Sequence, residues 1–361
     1  MSADVIQIFL GQLNLTAEEG CELEEFSDYC LKGLSYQLRF ILCTLFGITF
    51  LFAFIGNSVI IYIITFNRRM RTITNILVAS LAVADMLIAC VCIPFTVVEI
   101  ISFNWILGTI GCKLGNYLTA LAIAASILTL ICIAGDRYQV ICHPHQDRKI
   151  KTSWHALGYL AIVWIFSILL TLPLFIFSDT EKVNLLLEYT FCKETWAEVY
   201  IKSYTILFTV ILYILPFLVI FVLYSKVVGQ LWQLKETFSG GGGNGISSVT
   251  TGNVKKKKRA IKVLILIVLV FVLSWLPYHV LTWIRFVLKT EIFSFDDSSR
   301  NLFLMYIVKL IGFSSTFVNP IMYGLMNTNL KRYIMVGINC RKIKQSAPST
   351  KEELMMLPPE Q

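Results

Sequence analysis

The chain is short of charged side chains: Asp, Glu, Lys and Arg supply 15% of its 361 residues, whereas apolar types supply 56%. That balance excludes an ordinary soluble domain, in which charged residues make up about a quarter of the total. Long polar segments are also missing, since neither tail exceeds about 40 residues and neither is long enough for a comfortable separate domain. The sequence therefore predicts a polytopic membrane protein that consists of one helical bundle.

Two other features are absent. The start, MSADVIQIFL, lacks a basic region followed by a long apolar core and a cleavage site, so we expect no cleaved signal peptide. No internal repeat of the kind found in many secondary transporters is visible, which argues against a transporter. The net charge of +8 is explained by membrane topology and by attraction to an anionic inner leaflet, and does not indicate nucleic-acid binding.

Seven apolar stretches are long enough, at about 20 residues, to cross a hydrocarbon core as helices. They lie near 40–66, 75–101, 111–135, 155–178, 203–227, 260–288 and 302–325. The side that holds the loops after the first, third and fifth stretches and the C-terminal tail collects 21 of the 31 Lys and Arg residues. That side is predicted to be cytoplasmic, which places the N-terminus outside. The fold class is thus all-α, a seven-transmembrane helix bundle.

The domain division follows from these stretches. Residues 1–38 form an extracellular tail and residues 39–326 the transmembrane region, which contains a flexible loop over about 229–259. The loop includes SGGGGNGISSVTTG, a helix-poor spacer, and ends at the basic run KKKKR. Those basic residues could contact lipid phosphates or an intracellular partner, and the sequence leaves both open.

Cysteines and one asparagine on the predicted outer side are candidates for modification. Cys112 opens the third stretch and Cys192 lies in the loop between the fourth and fifth, so an oxidising compartment favours a disulfide between them. Cys21 and Cys30 in the outer tail could pair with each other or remain unpaired. Asn14, in NLT, satisfies the rule for N-glycosylation.

Five prolines fall inside the apolar stretches or toward their outer halves. A proline lacks the N–H that a helix needs and its ring clashes with the preceding turn, so each is expected to bend its helix. Bent helices suggest a bundle with an open outer mouth and movable inner ends. The five are Pro94, Pro173, Pro216, Pro277 and Pro320.

Three strongly polar side chains lie at similar depth within separate stretches: Asn57, Asp85 and Asn319. Polar groups at bilayer depth mark functional sites by default. Hydroxyls at matching depth are those of Ser126, Ser315 and Thr316. Such a set suits Na⁺ with waters, a shared proton, or a hydrogen-bond cluster that only holds the helices together. The residues alone leave these alternatives open.

Seven short motifs occur in the order of the seven stretches, with DRY directly after the third: GN, LAVAD, DRY, Trp164, Pro216 with Tyr224, SWLP and NPIMY. Together they resemble the rhodopsin-like, or class A, G-protein-coupled receptor family, over roughly residues 38 to 340. The resemblance implies a plasma-membrane receptor without enzymatic activity. Its implied partners are an extracellular ligand, a heterotrimeric G protein, arrestin, receptor kinases and membrane lipids.

The resemblance also implies roles for individual residues. Asp85 would hold an allosteric Na⁺ that favours the inactive state, and no other cofactor is implied. The other members of this sodium pocket would be Asn57, Ser126, Ser315 and Asn319. Trp275 would lie under the ligand and shift as the helix bends at Pro277. Past Tyr323, residues 327–340 would form a short amphipathic eighth helix along the membrane, with Cys340 a possible palmitoylation site, and 341–361 a cytoplasmic tail.

The implied activation switch lies toward the inner ends of the third, fifth and seventh stretches. Arg137 would be held by Asp136 in the resting state, beside Tyr138, and would contact the G protein once the sixth helix swings outward. On activation a second group would rearrange: Tyr224, Asn319, Pro320 and Tyr323.

The ligand class is narrowed by two further absences. Amine receptors carry a carboxylate where this chain has Thr119, and light-sensing members carry a lysine where it has Phe313, so both classes are disfavoured. Strings such as MRTITNILVASLAVADMLI, FCKETW and LPYHV are similar to receptors for RFamide peptides, first the pyroglutamylated RFamide (QRFP) group, then neuropeptide FF and neuropeptide Y receptors. We therefore predict a neuropeptide ligand of the amidated RFamide type.

A peptide ending in Arg-Phe-amide needs a carboxylate for its guanidinium and an apolar pocket for its ring. Candidate carboxylates at the mouth are Glu99, Glu194, Glu198, Glu291, Asp296 and Asp297. The candidate pocket consists of Thr96, Thr119, Trp196, Tyr278, His279, Thr282 and Trp283. Two other interpretations stay open: a class A receptor that acts constitutively or through lipids, and a transporter or channel built around Asp85.

Overall fold

The computed structural model describes residues 34–102, 104–143, 153–184, 188–240, 248–288 and 298–326. Within these ranges seven helices are long and apolar enough to cross a membrane, which confirms the predicted bundle. The predictions for the two tails lie outside the described residues. They concern the extracellular segment, the eighth helix, Asn14, Cys21, Cys30 and Cys340.

The seven helices are numbered α1 to α7 in chain order. Helix α1 is Tyr36–Phe66, α3 is Gly108–Cys142, α4 is Ser153–Phe177 and α7 is Ser298–Met326. Helix α2 comprises Ile73–Leu87, a wider π turn at Ile88–Cys92, and Ile93–Ser102. Helix α5 comprises Glu198–Thr209, a π turn at Val210–Ile214, and Leu215–Gly240. Helix α6 is Ser248–Trp283, continued by a π turn at Ile284–Leu288.

Two of the π turns end two residues before a proline. The turn at Ile88–Cys92 precedes Pro94, and the turn at Val210–Ile214 precedes Pro216. A proline removes one backbone hydrogen bond and pushes the preceding turn outward, and a wider turn accommodates that displacement without breaking the helix. The bends expected from these two prolines thus take the form of local widening of α2 and α5.

Several helices are longer than the apolar stretches that predicted them. Helix α3 continues to Cys142, so Asp136 and Arg137 lie within it and not at its end. Helix α5 continues to Gly240, and helix α6 begins at Ser248. Most of the segment predicted as a loop over 229–259 is therefore helical. Hydrophobicity ends at the membrane surface, whereas helix propensity does not: the flanking Leu, Gln, Lys and Arg residues continue the helices until the glycine run.

A two-stranded antiparallel hairpin, which the sequence did not predict, joins α4 to α5. Strand β1 is Ser178–Asn184 and β2 is Glu188–Glu194, with Thr180 opposite Cys192. Cys192 forms the predicted disulfide with Cys112, across a Cα–Cα distance of 5.4 Å. The disulfide ties β2 to the first turn of α3, and this side of the bundle is called the hairpin end below.

Helix α3 is the centre of the bundle, and α2, α4 and α5 all pack against it. Its middle carries small buried residues, including Ala122, Ala124, Ala125 and Ser126, each with no exposed surface. Small side chains let neighbouring helix backbones approach closely, which is how helices associate in lipid. Large apolar residues are exposed on the outer faces instead, among them Phe52, Ile162 and Phe221. An apolar exterior around a close-packed centre fits a hydrocarbon surrounding.

Candidate ligand-binding site

A cavity lies at the hairpin end, and the empty space inside it and at its open mouth together amounts to about 930 Å³. It is enclosed by the helices α2 to α7, with one side chain from β2. Its polar lining consists of Thr96, Asn116, Thr119, Glu194, Thr205, Thr209, His279, Thr282 and Lys309. Its aromatic lining consists of Tyr204, Phe208, Trp275, Tyr278, Phe286 and Phe313. Apolar surface with a few convergent polar groups is typical of ligand sites.

The structure brings five of the seven predicted pocket residues to this cavity: Thr96, Thr119, Tyr278, His279 and Thr282. The other two, Trp196 and Trp283, and the candidate carboxylate Glu99 are not among its lining residues. The Trp283 indole N–H donates to Thr209 Oγ1 at 3.0 Å. The ring of Trp196 stacks on Phe177 with centroids 4.9 Å apart. Glu99 lines a smaller cavity beside the first.

Residues of α5 also line the cavity, although the sequence did not predict them. They are Ile201, Tyr204, Thr205, Phe208 and Thr209, at the i, i+3, i+4, i+7 and i+8 positions of one helix face. Tyr204 is fixed in place because its hydroxyl donates to the carbonyl of Leu170 in α4 at 3.0 Å. This spacing was the available signal, but apolar residues surround it on every side of α5 and obscure it.

Two charged side chains line the cavity within the described part of the chain, Glu194 and Lys309. Burial raises the pKa of the Glu194 carboxyl, and the positive charge of Arg285 partly offsets that rise. Lys309 Nζ lies 3.4 Å from Glu99 Oε2 and 5.7 Å from the ring centre of Tyr306. Of the remaining candidate carboxylates, Glu198 is exposed at the start of α5, and Glu291, Asp296 and Asp297 lie outside the described residues.

Trp275 forms the floor of the cavity and is 1% exposed. Its ring packs edge-on against Phe313, with centroids 6.0 Å apart, and against Tyr278 at 5.8 Å. A Cβ placed on Gly312 would come within 3.1 Å of the Trp275 ring, so the glycine lets α7 approach the indole without a tight contact. Trp275 lies two residues before Pro277, the bend in α6.

The wall between α5 and α6 is a short polar and aromatic network. Thr209 Oγ1 lies 3.5 Å from His279 Nδ1 and accepts the hydrogen bond from Trp283 described above. The ring of Tyr213 is 4.6 Å from that of His279, and its hydroxyl donates to the carbonyl of Val272 at 2.9 Å. Helices α5 and α6 are thus connected on both sides of Pro277 along the chain, at Val272 before it and at His279 and Trp283 after it. A ligand that contacts His279 would therefore act on both helices.

Buried polar side chains lie deeper in the bundle, among them the residues that the sequence singled out. Asn319 Nδ2 donates to Asp85 Oδ2 at 2.8 Å, and both residues are nearly inaccessible to solvent. The Ser315 hydroxyl donates to the carbonyl of Gly312 at 2.7 Å. Asn57 Oδ1 and Ser126 Oγ are buried without a hydrogen-bond partner among the described residues.

These donor atoms fit a hard monovalent cation. They comprise one carboxylate together with amide and hydroxyl oxygens, and Na⁺ prefers oxygen ligands of this kind. Unpartnered buried oxygens are costly unless an ion or water satisfies them. The residues that would hold Na⁺ are therefore Asp85, with oxygens offered by Asn57 and Ser126.

The switch residues predicted for the opposite end lie in α3, α5 and α7. Asp136 Oδ2 accepts a hydrogen bond of 2.6 Å from the Thr74 hydroxyl of α2 and lies 4.0 Å from Arg137 Nε. Lys226 Nζ of α5 is 5.8 Å from the ring centre of Tyr138. Two tyrosines complete the group, Tyr224 and Tyr323, each 6% exposed. Asp136 is therefore held by α2 as well as by its neighbour.

Comparison with known proteins agrees with this architecture. Residues 56–323 match the family model of the seven-transmembrane receptors of the rhodopsin family. A QRFP-like peptide receptor of Branchiostoma floridae is 34% identical over 99% of this chain and 93% of its own length. The pyroglutamylated RF-amide peptide receptor of Mus musculus is 32% identical over 90% of this chain and 79% of its own. The neuropeptide Y receptor type 2 of Homo sapiens is 32% identical over 80% of this chain and 73% of its own length.

The family match covers more than half of the chain and includes all seven helices, in part or whole. Its members are receptors and not enzymes. The chain belongs to the rhodopsin family of seven-transmembrane receptors.

Proposed function

We propose that the chain is a plasma-membrane receptor, with its N-terminus outside, for an extracellular neuropeptide of the amidated RFamide type, and that it signals to heterotrimeric G proteins. The names of its relatives, a QRFP-like peptide receptor and a pyroglutamylated RF-amide peptide receptor, support the ligand class. The Lys and Arg asymmetry supports the orientation, because it puts the hairpin end on the extracellular side.

The observation that carries the proposal is the chemistry of the cavity. Glu194 is a carboxylate in a half-buried position, where a guanidinium would find a strong charge-assisted hydrogen bond. Aromatic side chains from α5, α6 and α7 surround the same space and offer apolar contact to a phenylalanine ring. An arginine beside a phenylalanine therefore matches the cavity in both charge and polarity. Of the three candidate carboxylates within the described residues, Glu99, Glu194 and Glu198, it is Glu194 that lines the cavity.

The mechanism we propose is a shift of population between two positions of α6. A peptide in the cavity contacts Trp275 at its floor and His279 on its wall. Trp275 lies two residues before Pro277 and His279 two residues after it. Contacts that favour a different bend at Pro277 move the inner half of α6 outward. A ligand shifts this equilibrium only by its difference in affinity for the two states.

The remaining switch residues would respond to that movement. In the resting state Asp136 is held by Thr74 and lies near Arg137. When α6 moves outward, Arg137 becomes available to the G protein, and Tyr224 and Tyr323 rearrange with it. The inner surface would serve arrestin and receptor kinases as well. Asp85 and its neighbours resist this change, and a Na⁺ bound there would supply positive charge that stabilises the resting arrangement.

The experiment is a screen of amidated peptides on cells that express the receptor, with cAMP and calcium as readouts and a panel of G-protein sensors. Each peptide is paired with its free-acid form, and mock-transfected cells are the control. The proposal predicts a response to one or more RFamide peptides. Normal surface display without a response to any amidated peptide contradicts it. A high signal without ligand would then favour a constitutive receptor.

A further inference from the structure

An ion pair between α2 and α7 divides the mouth of the bundle. Lys309 Nζ lies 3.4 Å from Glu99 Oε2, and the side chains are 27% and 34% exposed. Lys309 lines the ligand cavity. Glu99 lines a smaller cavity of about 330 Å³ next to β2, beside Trp105, Phe191 and Tyr306. The pair therefore forms part of the wall between the two spaces.

This pairing changes what the ligand cavity offers to an anion. An unpaired ammonium in a partly desolvated cavity would attract a carboxylate strongly. The Glu99 carboxylate already lies beside the Lys309 ammonium, and its negative charge cancels most of the attraction for a second carboxylate. Within the described part of the chain, the other charged side chain of the lining is Glu194, which repels a carboxylate. With Glu99 in place, a negatively charged ligand terminus gains little from Lys309.

Three of the five threonines that line the cavity have the same preference for a hydrogen-bond donor over a carboxylate. Thr96 Oγ1 donates to the carbonyl of Cys92 at 2.9 Å, Thr119 Oγ1 to that of Gly115 at 2.7 Å, and Thr282 Oγ1 to that of Tyr278 at 2.7 Å. Each hydroxyl proton is therefore bonded to its own helix, and each oxygen presents lone pairs to the cavity. Lone pairs accept N–H groups. A carboxamide brings two N–H donors, whereas a carboxylate brings none.

We infer that Glu99 is a specificity-determining residue, which neutralises Lys309 and so makes the cavity select a peptide with an amidated C-terminus over the same peptide with a free carboxylate. The inference rests on the proposed function. Glu99 acts through Lys309 and is in this sense a positioning residue. Removing the charge of Glu99 leaves the Lys309 ammonium available to the ligand, and the potency of the free-acid peptide rises.

The test uses a synthetic octapeptide ending in Arg-Phe-amide and the same octapeptide ending in a free carboxylate. The quantity measured is the ratio of their EC50 values, acid over amide, within each variant, so that differences in surface amount cancel. E99Q should lower this ratio by about tenfold or more, since it leaves Lys309 unpaired. E99D keeps the charge and should retain the wild-type ratio.

A second pair of variants isolates the mechanism. In a K309M background there is no ammonium to release, so adding E99Q should leave the ratio unchanged within about twofold. An unchanged ratio in E99Q, or a shift that persists in K309M, overturns the inference while the amide still activates the wild type. Inactivity of both octapeptides on a normally displayed wild-type receptor overturns the proposed function, and this inference with it.

Discussion

Asn57 of α1 donates a hydrogen bond of 3.0 Å to the carbonyl of Thr316 in α7. Pro320 stands four residues after Thr316 and has no N–H, so α7 itself cannot satisfy this carbonyl. The Asn57 amide supplies the missing donor, and it also donates to the carbonyl of Ala53 at 2.9 Å. Asn57 of the GN motif thus stabilises α7 at the turn that Pro320 of the NPIMY motif has weakened. The two motifs are linked because the carbonyl of Thr316 needs a hydrogen-bond donor.

Replacing Asn57 with alanine should therefore destabilise the receptor. The carbonyl of Thr316 would remain buried without its donor, which costs about 1–3 kcal/mol. The measurement is the midpoint of thermal unfolding of detergent-solubilised receptor. Thr44→Ala is the matched control, because its hydroxyl bonds to the carbonyl of Phe40 on an exposed face of the same helix. Equal midpoints for both variants would show that the Thr316 contact contributes nothing.

Gly56 should not tolerate alanine. A Cβ at this position would lie 2.7 Å from the Cβ of Pro320, so α1 and α7 would have to separate. Overpacking of this kind costs about 1–3 kcal/mol. A Cβ at Gly47 of the same helix would meet nothing within 4 Å, which makes Gly47→Ala the control. We expect Gly56→Ala to reduce surface display and thermal stability and Gly47→Ala to change neither. A stable Gly56→Ala receptor would exclude this close approach.

Asp136→Asn should raise signalling in the absence of ligand. The substitution removes the negative charge 4.0 Å from Arg137 and weakens the bond with Thr74, so the resting arrangement loses stability. Arg137→Ala should impair G-protein activation by more than it impairs peptide binding. Basal and stimulated G-protein dissociation, normalised to surface receptor, measure both effects. Basal activity equal to that of the wild type in Asp136→Asn would contradict a restraining role for the carboxylate.

Glu194→Gln should lower the potency of an RFamide peptide by at least about tenfold, because the guanidinium loses its charged partner. The wild-type receptor should also depend on pH. Burial raises the pKa of the Glu194 carboxyl, with Arg285 partly offsetting the rise. As the pH falls through this raised pKa, the carboxyl takes up a proton and its attraction for the guanidinium is lost. Affinity should therefore fall at a higher pH than expected for an ordinary glutamate, whose pKa is about 4.3.

Peptide binding to isolated membranes between about pH 7.4 and about pH 4.3, the ordinary pKa of a glutamate, measures this dependence. The Glu194→Gln receptor serves as the control, since it lacks the titrating carboxyl and should bind weakly with little change over the same range. A wild-type affinity that stays constant, or a pH dependence that persists in Glu194→Gln, would assign the peptide arginine to another residue.

The parts of the molecule that the sequence predicted are those governed by local composition. Apolar stretches of about 20 residues have few alternatives to membrane helices, and buried polar groups such as Asp85 and Asn319 must satisfy one another. The Cys112–Cys192 disulfide followed from the compartment of both cysteines.

The parts that the sequence did not predict depend on distance across the fold. The hairpin strands SDTEKVN and EYTFCKE carry several charges and little regular alternation, so their pairing has no local signal. The Glu99–Lys309 pair joins residues 210 positions apart. The cavity face of α5, with Tyr204 and Phe208, cannot be told from its lipid face by hydrophobicity, because both are apolar.

The coupling of the ligand cavity to the opposite end of the bundle is tested by the affinity of a labelled RFamide peptide for receptor membranes with and without G protein. If the peptide and the G protein favour the same position of α6, each must raise the affinity for the other by the same factor. We expect peptide affinity to rise at least about fivefold when nucleotide-free G protein is bound, and to return to the lower value when a GTP analogue is added. The same affinity under all three conditions would contradict this mechanism.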